Sequence, residues 1–537
     1  MLRSDYWYRF PWLLLAATMV LVGLGIAGIY AATAGRADCP PELQSLAEKQ
    51  VVFLAGSLLV FCLTLIPSYV RLARFSYPLY GVSLALLVLL AVMRRFDLVI
   101  PGIIYPTNHA YSWLAIPGLM KFQPSELTKI AFIMSLAYYL RYRKNYRTFK
   151  GLLAPFVMAL APTALVLYQP DLGTAMMFLP VLFLMLFAAG ARGKHLLAII
   201  LMGLAMVPVF YSSLRGYQRM RIDSWLLHGC AERMHFALAE PAGNCGLRIA
   251  DCGLTATDSS ASPAGPFNPQ FAIRNPQLRR AALTDEQKAD LVREITSMWR
   301  FRLWRLATAI SWGKDKAEFA EARCRLFEAL DTDCGLRTED CGLTITNPPQ
   351  ATLFLPSIRN SQFAIRNSSF DALRFFFGSL LDDPGHQLFQ AKIAVGAGGL
   401  TGQGWLLGTQ TRYGLLPQAH TDFLFPTLAE QFGLIGAIGV VVLYGLLCVL
   451  GLDVSFSTTE PYGKLLVVGV VALVAAQSFL NIAVSIGLMP ITGIPLPFMS
   501  YGGSSLLSSF LALGLLCNVA LRRLYLIAPR PFEWGSD

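Results

Sequence analysis

The chain has 537 residues, of which 55% are hydrophobic and only 14% are charged, and its net charge is +11. Soluble proteins carry about 25% charged residues, so this composition excludes an ordinary set of soluble domains. In a membrane protein a positive net charge is more often due to cytoplasmic loops than to nucleic acid binding, and we predict no nucleic acid partner.

Ten apolar segments approach the length of about 20 residues that a helix needs to cross a bilayer. The sequence therefore predicts an all-α polytopic membrane protein. The first span has no small-residue cleavage site after it and is predicted to be an anchor. The predicted spans lie near 12–32, 50–70, 78–93, 125–140, 152–168, 172–190, 195–211, 429–452, 464–487 and 505–521.

Lys and Arg are distributed unevenly between the predicted loops. With the N-terminus inside, the inner segments hold most of them, including Arg71, Arg141 and Lys194, whereas the short outer loops hold few. This bias predicts that both termini are cytoplasmic, and an even number of spans agrees with it.

Residues 229–377, between the seventh and eighth predicted spans, have a different composition. They hold 18 basic and 17 acidic residues, so about 23% of the segment is charged, against about 11% of the other 388 residues. We predict a membrane domain over 1–228, an extracytoplasmic insert over 229–377, and an outer loop with the last three spans over 378–537.

The insert contains an internal repeat and most of the cysteines. A Cys-Gly-Leu-Arg motif at Cys245 recurs at Cys334, and six of the ten cysteines lie in the insert. Between the copies, a capping box from Thr284 to Gln287 opens a helical stretch through about Ala309. The insert is either a disulfide-stapled accessory domain or a poorly ordered, dispensable acquisition. Its scarce hydrophobic periodicity favours the second interpretation.

Ionisable residues occur at the start of the predicted spans. Each costs about 2.5–3.5 kcal/mol at the bilayer centre, so its presence there requires a structural or functional explanation. Glu126 and Lys129 lie three residues apart on one helical face, where they can form an ion pair or line a substrate cavity. Asp171, between the fifth and sixth spans, can cap the following helix. A structural role is the favoured interpretation for Asp171.

The segment from Leu381 to Glu430 has the highest density of polar and glycine residues. Its glycines, from Gly396 to Gly404, match no phosphate-loop template. Backbone N–H groups exposed by glycine could still hold a diphosphate together with Lys392, Arg219 and Arg221. The alternative is a flexible re-entrant loop.

Two further polar groups precede and follow the eighth span. His420 and Asp422 are two residues apart, which favours a hydrogen-bond network at the start of a helix over a metal site. Asn481 precedes the segment 487–505, in which prolines and glycines break the backbone near Ser500. Such backbone is tolerated at membrane depth only when it is buried in protein or lines a polar cavity. Of these two alternatives, we predict a cavity that opens outward.

Together these motifs resemble the SEDS family, the shape, elongation, division and sporulation proteins that include RodA, FtsW and SpoVE. The resemblance covers essentially everything except the insert, and the string Gly408–Pro417 is closer to the elongation branch. The motifs are the segments 123–129, 169–174, 385–404, 420–423 and 495–503.

The resemblance implies a peptidoglycan glycosyltransferase that polymerises lipid II at the outer face of the bacterial cytoplasmic membrane, with a class B penicillin-binding protein as partner. Its catalytic carboxylate precedes the string Gly385-His-Gln, so Asp383 is the first candidate for a general base and Asp382 the second. Cationic groups or a divalent cation, magnesium or manganese, can stabilise the leaving diphosphate. The substrate-binding candidates are Glu126, Lys129, Asp171, Lys392, Arg219, Arg221, His420, Asp422, Glu430, Asn481 and Ser500.

A lipid II flippase or transporter and an inactive cell-wall scaffold are the alternatives to an inverting enzyme. The outer pair Asp382 and Asp383 favours the enzyme, since a transporter does not require it. The chain departs from the family pattern at Ser112, where an arginine is usual, and at Gln431, where a second acid is expected. The loop before Gly385 is also shortened.

Overall fold

A computed structural model describes residues 10–36, 39–96, 112–116, 120–143, 148–169, 171–207, 285–298 and 384–522, with Phe301 and scattered positions between 210 and 230. The chain divides into two compact units. The first contains Met1–Met206 and Gln387–Asp537, and the second contains Val207–His386.

Helices account for nearly all regular structure in the described residues. In the first part of the chain they are α1 (Trp12–Ala32), α2 (Pro41–Gln44), α3 (Leu46–Leu65), α4 (Tyr69–Ala73), α5 (Ser76–Arg95), α6 (Pro124–Leu140), α7 (Leu153–Tyr168), α8 (Leu172–Ala189) and α9 (Gly193–Ala205). After them come α10 (Asp285–Ser297), α11 (Pro384–Ala397), α12 (Thr409–Arg412), α13 (Leu424–Phe456), α14 (Pro461–Ser485) and α15 (Gly503–Arg522).

Each of the ten predicted spans overlaps one of these helices, with ends that differ by up to six residues. Eight helical segments in the described residues are long and apolar enough to cross a membrane, and one of them is α7 together with the 3-10 turn Lys150–Leu152 that precedes it. The other two, α6 and α9, have 17 and 13 residues. The prediction of a helical, multi-pass membrane protein is confirmed, while the count of ten and the orientation stay predictions.

One short hairpin interrupts the helical pattern. Strand β1 (Leu114–Ile116) pairs antiparallel with β2 (Met120–Phe122), with Leu114 opposite Phe122. It leads directly into α6, which begins with Pro124 at its first position, where a missing N–H costs nothing.

The core of the first unit is built around α14, which packs against α6, α8, α13 and α15. Glycine allows these close approaches. A Cβ at Gly469 would lie 2.4 Å from Ile133 of α6, and one at Gly451 would lie 2.5 Å from Val471. Small residues at helix contacts are the usual way in which membrane helices pack tightly.

The broken backbone between α14 and α15 is held by surrounding protein. Gln50 of α3 donates to the Ser500 carbonyl (3.1 Å) and accepts from the Gly502 N–H (3.2 Å). Tyr444 of α13 donates to the carbonyl of Pro497, and Met499 lies against Gly25 of α1. Burial in protein, the first of the two conditions predicted for this segment, is therefore met.

The second unit contains α10, which starts where the capping box predicts a helix. Leu291 and Ile295 on this helix are buried, and the Cys230 thiol donates to the sulfur of Met298 (3.5 Å). Thr284, most of the predicted continuation to Ala309, and the other five cysteines of the insert lie outside the described residues. The predictions of order and disulfides for the insert therefore remain open.

Candidate functional site

A buried ion pair lies at the start of α6. The Lys129 Nζ is 2.8 Å from Glu126 Oε1, and both residues are only 3% exposed. The other carboxylate oxygen of Glu126 accepts from the Ser508 hydroxyl of α15 (2.8 Å). The predicted pairing is confirmed, and it also joins α6 to α15.

Asp171 links the start of α8 to the start of α6. One of its oxygens accepts from the Thr174 N–H (3.0 Å), which caps α8 as predicted, and the other accepts from the Gln123 amide (3.0 Å). Burial raises the pKa of the Asp171 carboxyl above its usual range, although the hydrogen bonds from Thr174 and the charge of Lys129 oppose that shift. The carboxyl therefore serves as a structural junction between two helices.

Asn481 and Ser500 hold the backbone around the broken segment. The Asn481 amide donates to the carbonyls of Asp422 (2.8 Å) and Ile494 (2.7 Å). The Ser500 hydroxyl oxygen accepts from the Leu496 N–H (2.8 Å). Both side chains thus fix loop backbone, before α13 and between α14 and α15.

His420 and Asp422 belong to the network at the start of α13. The His420 carbonyl accepts from the Tyr501 N–H (2.9 Å), and the two rings lie 5.9 Å apart. The Asp422 N–H donates to the Gln418 carbonyl (3.2 Å). These contacts agree with the hydrogen-bond interpretation of this motif. Within the described ranges no group of three or more His, Cys, Asp or Glu side chains could hold a metal ion.

The surroundings of His420 predict how stability depends on pH. Burial, with the positive charge of Arg36, lowers the pKa of His420 below its usual value of about 6.5. The unfolded chain then takes up a proton more readily than the folded chain, so stability present above about pH 6.5 is lost as the pH falls. We expect the midpoint of thermal unfolding to fall less for His420→Gln than for the wild type between about pH 7.5 and about pH 5.5. Differential scanning fluorimetry would measure this, and equal pH slopes would contradict it.

The glycine-rich segment docks into a break in α13. Gly433 has φ 66° and ψ −163°, which interrupts the helix. Segment 399–404 exchanges four backbone hydrogen bonds with the helix at this break. They are Leu434 N–H to Gly399 O (2.9 Å), Ile435 N–H to Leu400 O (3.2 Å), Gln403 N–H to Glu430 O (2.9 Å) and Gly404 N–H to Gln431 O (3.1 Å).

This docking explains the glycines and corrects one prediction. A Cβ would lie 2.0 Å from the Ala429 oxygen at Gly398, and 2.0 Å from the Gln431 oxygen at Gly402, where φ is also +86°. The N–H groups of residues 398, 399, 402, 403 and 404 all donate to backbone oxygens. They are occupied within the protein, so the expectation that this run of N–H groups holds a diphosphate is wrong for this arrangement.

Glu430 contacts the end of segment 399–404 through its backbone carbonyl, which accepts from the Gln403 N–H, and its side chain is fully buried. Its carboxylate accepts from the Gln410 N–H (2.6 Å) and from the N–H (3.0 Å) and hydroxyl (2.5 Å) of Thr411. The Thr409 hydroxyl adds a longer bond of 3.4 Å. A direct contact with substrate, as the sequence predicted, does not fit a carboxylate with these surroundings.

The cationic candidates fall in different units. The stem of Lys392 lies against Gly487, where a Cβ would be 3.1 Å from the lysine Cδ. In the second unit, Arg219 is buried and its Nε donates to the Tyr211 carbonyl (3.1 Å), and Arg221 belongs to the same unit. A grouping of these arginines with Lys392 stays a prediction.

The predicted catalytic pair, Asp382 and Asp383, lies outside the described residues. Their assignment stays a prediction from the resemblance.

Three polar side chains were not assigned a role from the sequence, although they join the parts of this site. They are Gln50, Gln123 and Ser508. The signal for Gln50 and Ser508 is a polar residue inside an apolar span, and for Gln123 its place just before the first residue of α6. Each partner is distant in sequence, so the signal alone does not identify it.

A model of the cell cycle protein family FtsW/RodA/SpoVE matches residues 11–229 and 363–524. The matched ranges contain all the predicted site residues and omit most of the insert.

Individual proteins match over different lengths. The peptidoglycan glycosyltransferase RodA of Treponema pallidum (strain Nichols) is 26% identical over 520 residues, which is 96% of this chain and 98% of that protein. The peptidoglycan glycosyltransferase MrdB of Escherichia coli (strain K12) is 39% identical over 139 residues, 26% of this chain and 38% of that protein.

Among solved structures, a chain from a peptidoglycan synthase complex has a TM-score of 0.54 at 21% identity, over 95% of this chain and 97% of that chain. At this level of identity the likeness shows a shared fold.

Proposed function

The chain belongs to the family of FtsW, RodA and SpoVE cell cycle proteins, and on this basis we propose that it is a peptidoglycan glycosyltransferase of cell elongation. The observation that carries the proposal is the alignment of 96% of the chain with a protein named peptidoglycan glycosyltransferase RodA. The substrate is lipid II, a disaccharide-pentapeptide on undecaprenyl diphosphate, and the protein lies in the bacterial cytoplasmic membrane.

The reaction is a single displacement. A sugar hydroxyl attacks the anomeric carbon of a second sugar, a new C–O bond forms, and the bond to the lipid diphosphate breaks with inversion. Asp383 takes the hydroxyl proton as general base, with Asp382 as the second candidate. The electron pair leaves on the diphosphate oxygen, where a cation such as Lys392 stabilises the charge.

The described residues supply the frame for this chemistry. Asp171 and the Glu126–Lys129 pair join helices, while Asn481 and Ser500 fix the loop between α14 and α15. A site held by such hydrogen bonds keeps its geometry during the reaction. A magnesium or manganese ion as a helper remains a proposal, and no step here is derived through it.

The partner that we propose is a class B penicillin-binding protein, a transpeptidase that cross-links the glycan. Support comes from the fold shared with a chain of a peptidoglycan synthase complex that coordinates polymerization and crosslinking.

The test is polymerisation by the purified full-length chain, reconstituted in vesicles with its transpeptidase partner. Fluorescent lipid II and divalent cations are added, and the products are separated on gels. We expect glycan polymer. Movement of lipid II across the bilayer without polymer would instead support a flippase, and neither activity would support a scaffold.

A further inference from the structure

Glu430 contacts residues 409–411, the first turn of α12, and the hydrogen bonds continue beyond this turn. The Thr409 N–H at the start of this turn donates to the Gln403 side-chain oxygen (3.0 Å). The Gln403 amide in turn donates to the carbonyl of Ala397 (3.1 Å), the last residue of α11. Glu430 is therefore connected, through the turn and Gln403, to the C-terminal end of α11.

Helix α11 is important because of what precedes it in the sequence. Its first residue, Pro384, directly follows Asp383, the predicted general base. The same helix carries Lys392, the cation proposed to face the diphosphate. A change in the position of its C-terminal end would thus displace Lys392, which lies five residues before Ala397 on the same helix.

We propose that Glu430 is a positioning residue for the glycosyl transfer. It holds the turn 409–411 and, through Gln403, fixes the end of α11. This inference rests on the proposed function, and it replaces the earlier expectation that Glu430 binds substrate.

Gly408 offers a second way to disturb the same contact. A Cβ at this position would lie 2.7 Å from Cδ and Oε2 of Glu430. The backbone of Gly408 has φ −56° and ψ 123°, a conformation that alanine adopts without strain. Gly408→Ala should therefore displace the carboxylate without removing it.

The experiment uses the full chain with its transpeptidase partner in nanodiscs. Steady-state polymerisation of lipid II is measured together with hydrogen exchange of the segment 397–412. For Glu430→Gln, whose NH₂ group faces N–H donors, we expect a fall in kcat of at least about tenfold with KM within about threefold. Amide exchange of Gln410 and Thr411 should accelerate by at least about tenfold, because the glutamine amide keeps one acceptor oxygen where the carboxylate offered two.

Two further variants sharpen the test. Gly408→Ala should reproduce both effects, and the double variant Gly408→Ala/Glu430→Gln should be no worse than the more impaired single variant, since both disturb one contact. Thr411→Val, which removes only a hydroxyl donor, should reduce kcat by a smaller factor. It replaces Glu430→Gln as the test variant if Glu430→Gln does not fold. Gly439→Ala is the control, because its Cβ meets nothing within 4 Å.

Three outcomes decide against the proposal. A raised KM with unchanged kcat in Glu430→Gln would assign the carboxylate to substrate binding. Unchanged amide exchange in the turn would show that Glu430 does not hold it, and additive losses in the double variant would show that the two residues act separately. An inactive wild type would overturn the proposed function alone, while the exchange measurement would still test whether Glu430 holds the turn.

Discussion

Replacing Asp383 with alanine should reduce the polymerisation of lipid II by about 10²–10⁴-fold. This is the factor that a positioned general base typically contributes. Without the carboxylate, the attacking sugar hydroxyl must lose its proton to water, and the new C–O bond forms with a poorer nucleophile. Gel separation of fluorescent glycan from the reconstituted protein with its partner would measure the loss.

The neighbouring aspartate provides the matched control for this variant. Asp382→Ala should retain polymerisation, and Asp383→Asn, which keeps the shape but cannot accept the proton, should be as impaired as Asp383→Ala. Equal polymer from wild type and the Asp383 variants would remove Asp383 from the mechanism. Loss of activity in Asp382→Ala alone would transfer the role to that residue.

Local sequence spacing was enough to predict the polar junctions formed within one helix or one turn. Glu126 and Lys129 pair because they lie three positions apart on a helix. Asp171 caps α8 because it directly precedes a helical segment. The positions of most spans also followed from apolar length, since every backbone group in lipid must be paired within a helix.

Contacts between distant segments could not be predicted in the same way. The glycines of 398–404 match no local template because their partner is a helix break at Gly433, inside a span that the hydropathy pattern predicts to be continuous. Gln50 contacts Ser500 at a separation of 450 residues. Nothing in the local sequence of either segment specifies such a pairing, so the role of the glycines was misassigned to a diphosphate.

The buried pair of α6 gives the second large expected effect. Replacing Lys129 with methionine should destabilise the protein by about 3–5 kcal/mol, because removal of one partner leaves the Glu126 carboxylate buried without a countercharge. The Ser508 hydroxyl remains as a donor, but it does not neutralise the charge. Equilibrium unfolding in mixed detergent micelles would measure the change. Lys49→Met, at an exposed lysine, is the control and should stay within about 0.5 kcal/mol of wild type.

Whether the cost arises from charge or from packing is decided by removing both partners. If the unpaired carboxylate is the cause, Glu126→Gln/Lys129→Met should be more stable than Lys129→Met alone, because a neutral amide can still accept from Ser508 and no charge is left buried. A double variant at least as unstable as the single one would instead assign the loss to packing around the lysine stem. Polymerisation by the double variant then separates the two roles predicted for this pair. Retained activity would make it a structural junction, whereas a stable but inactive protein would support contact with the substrate.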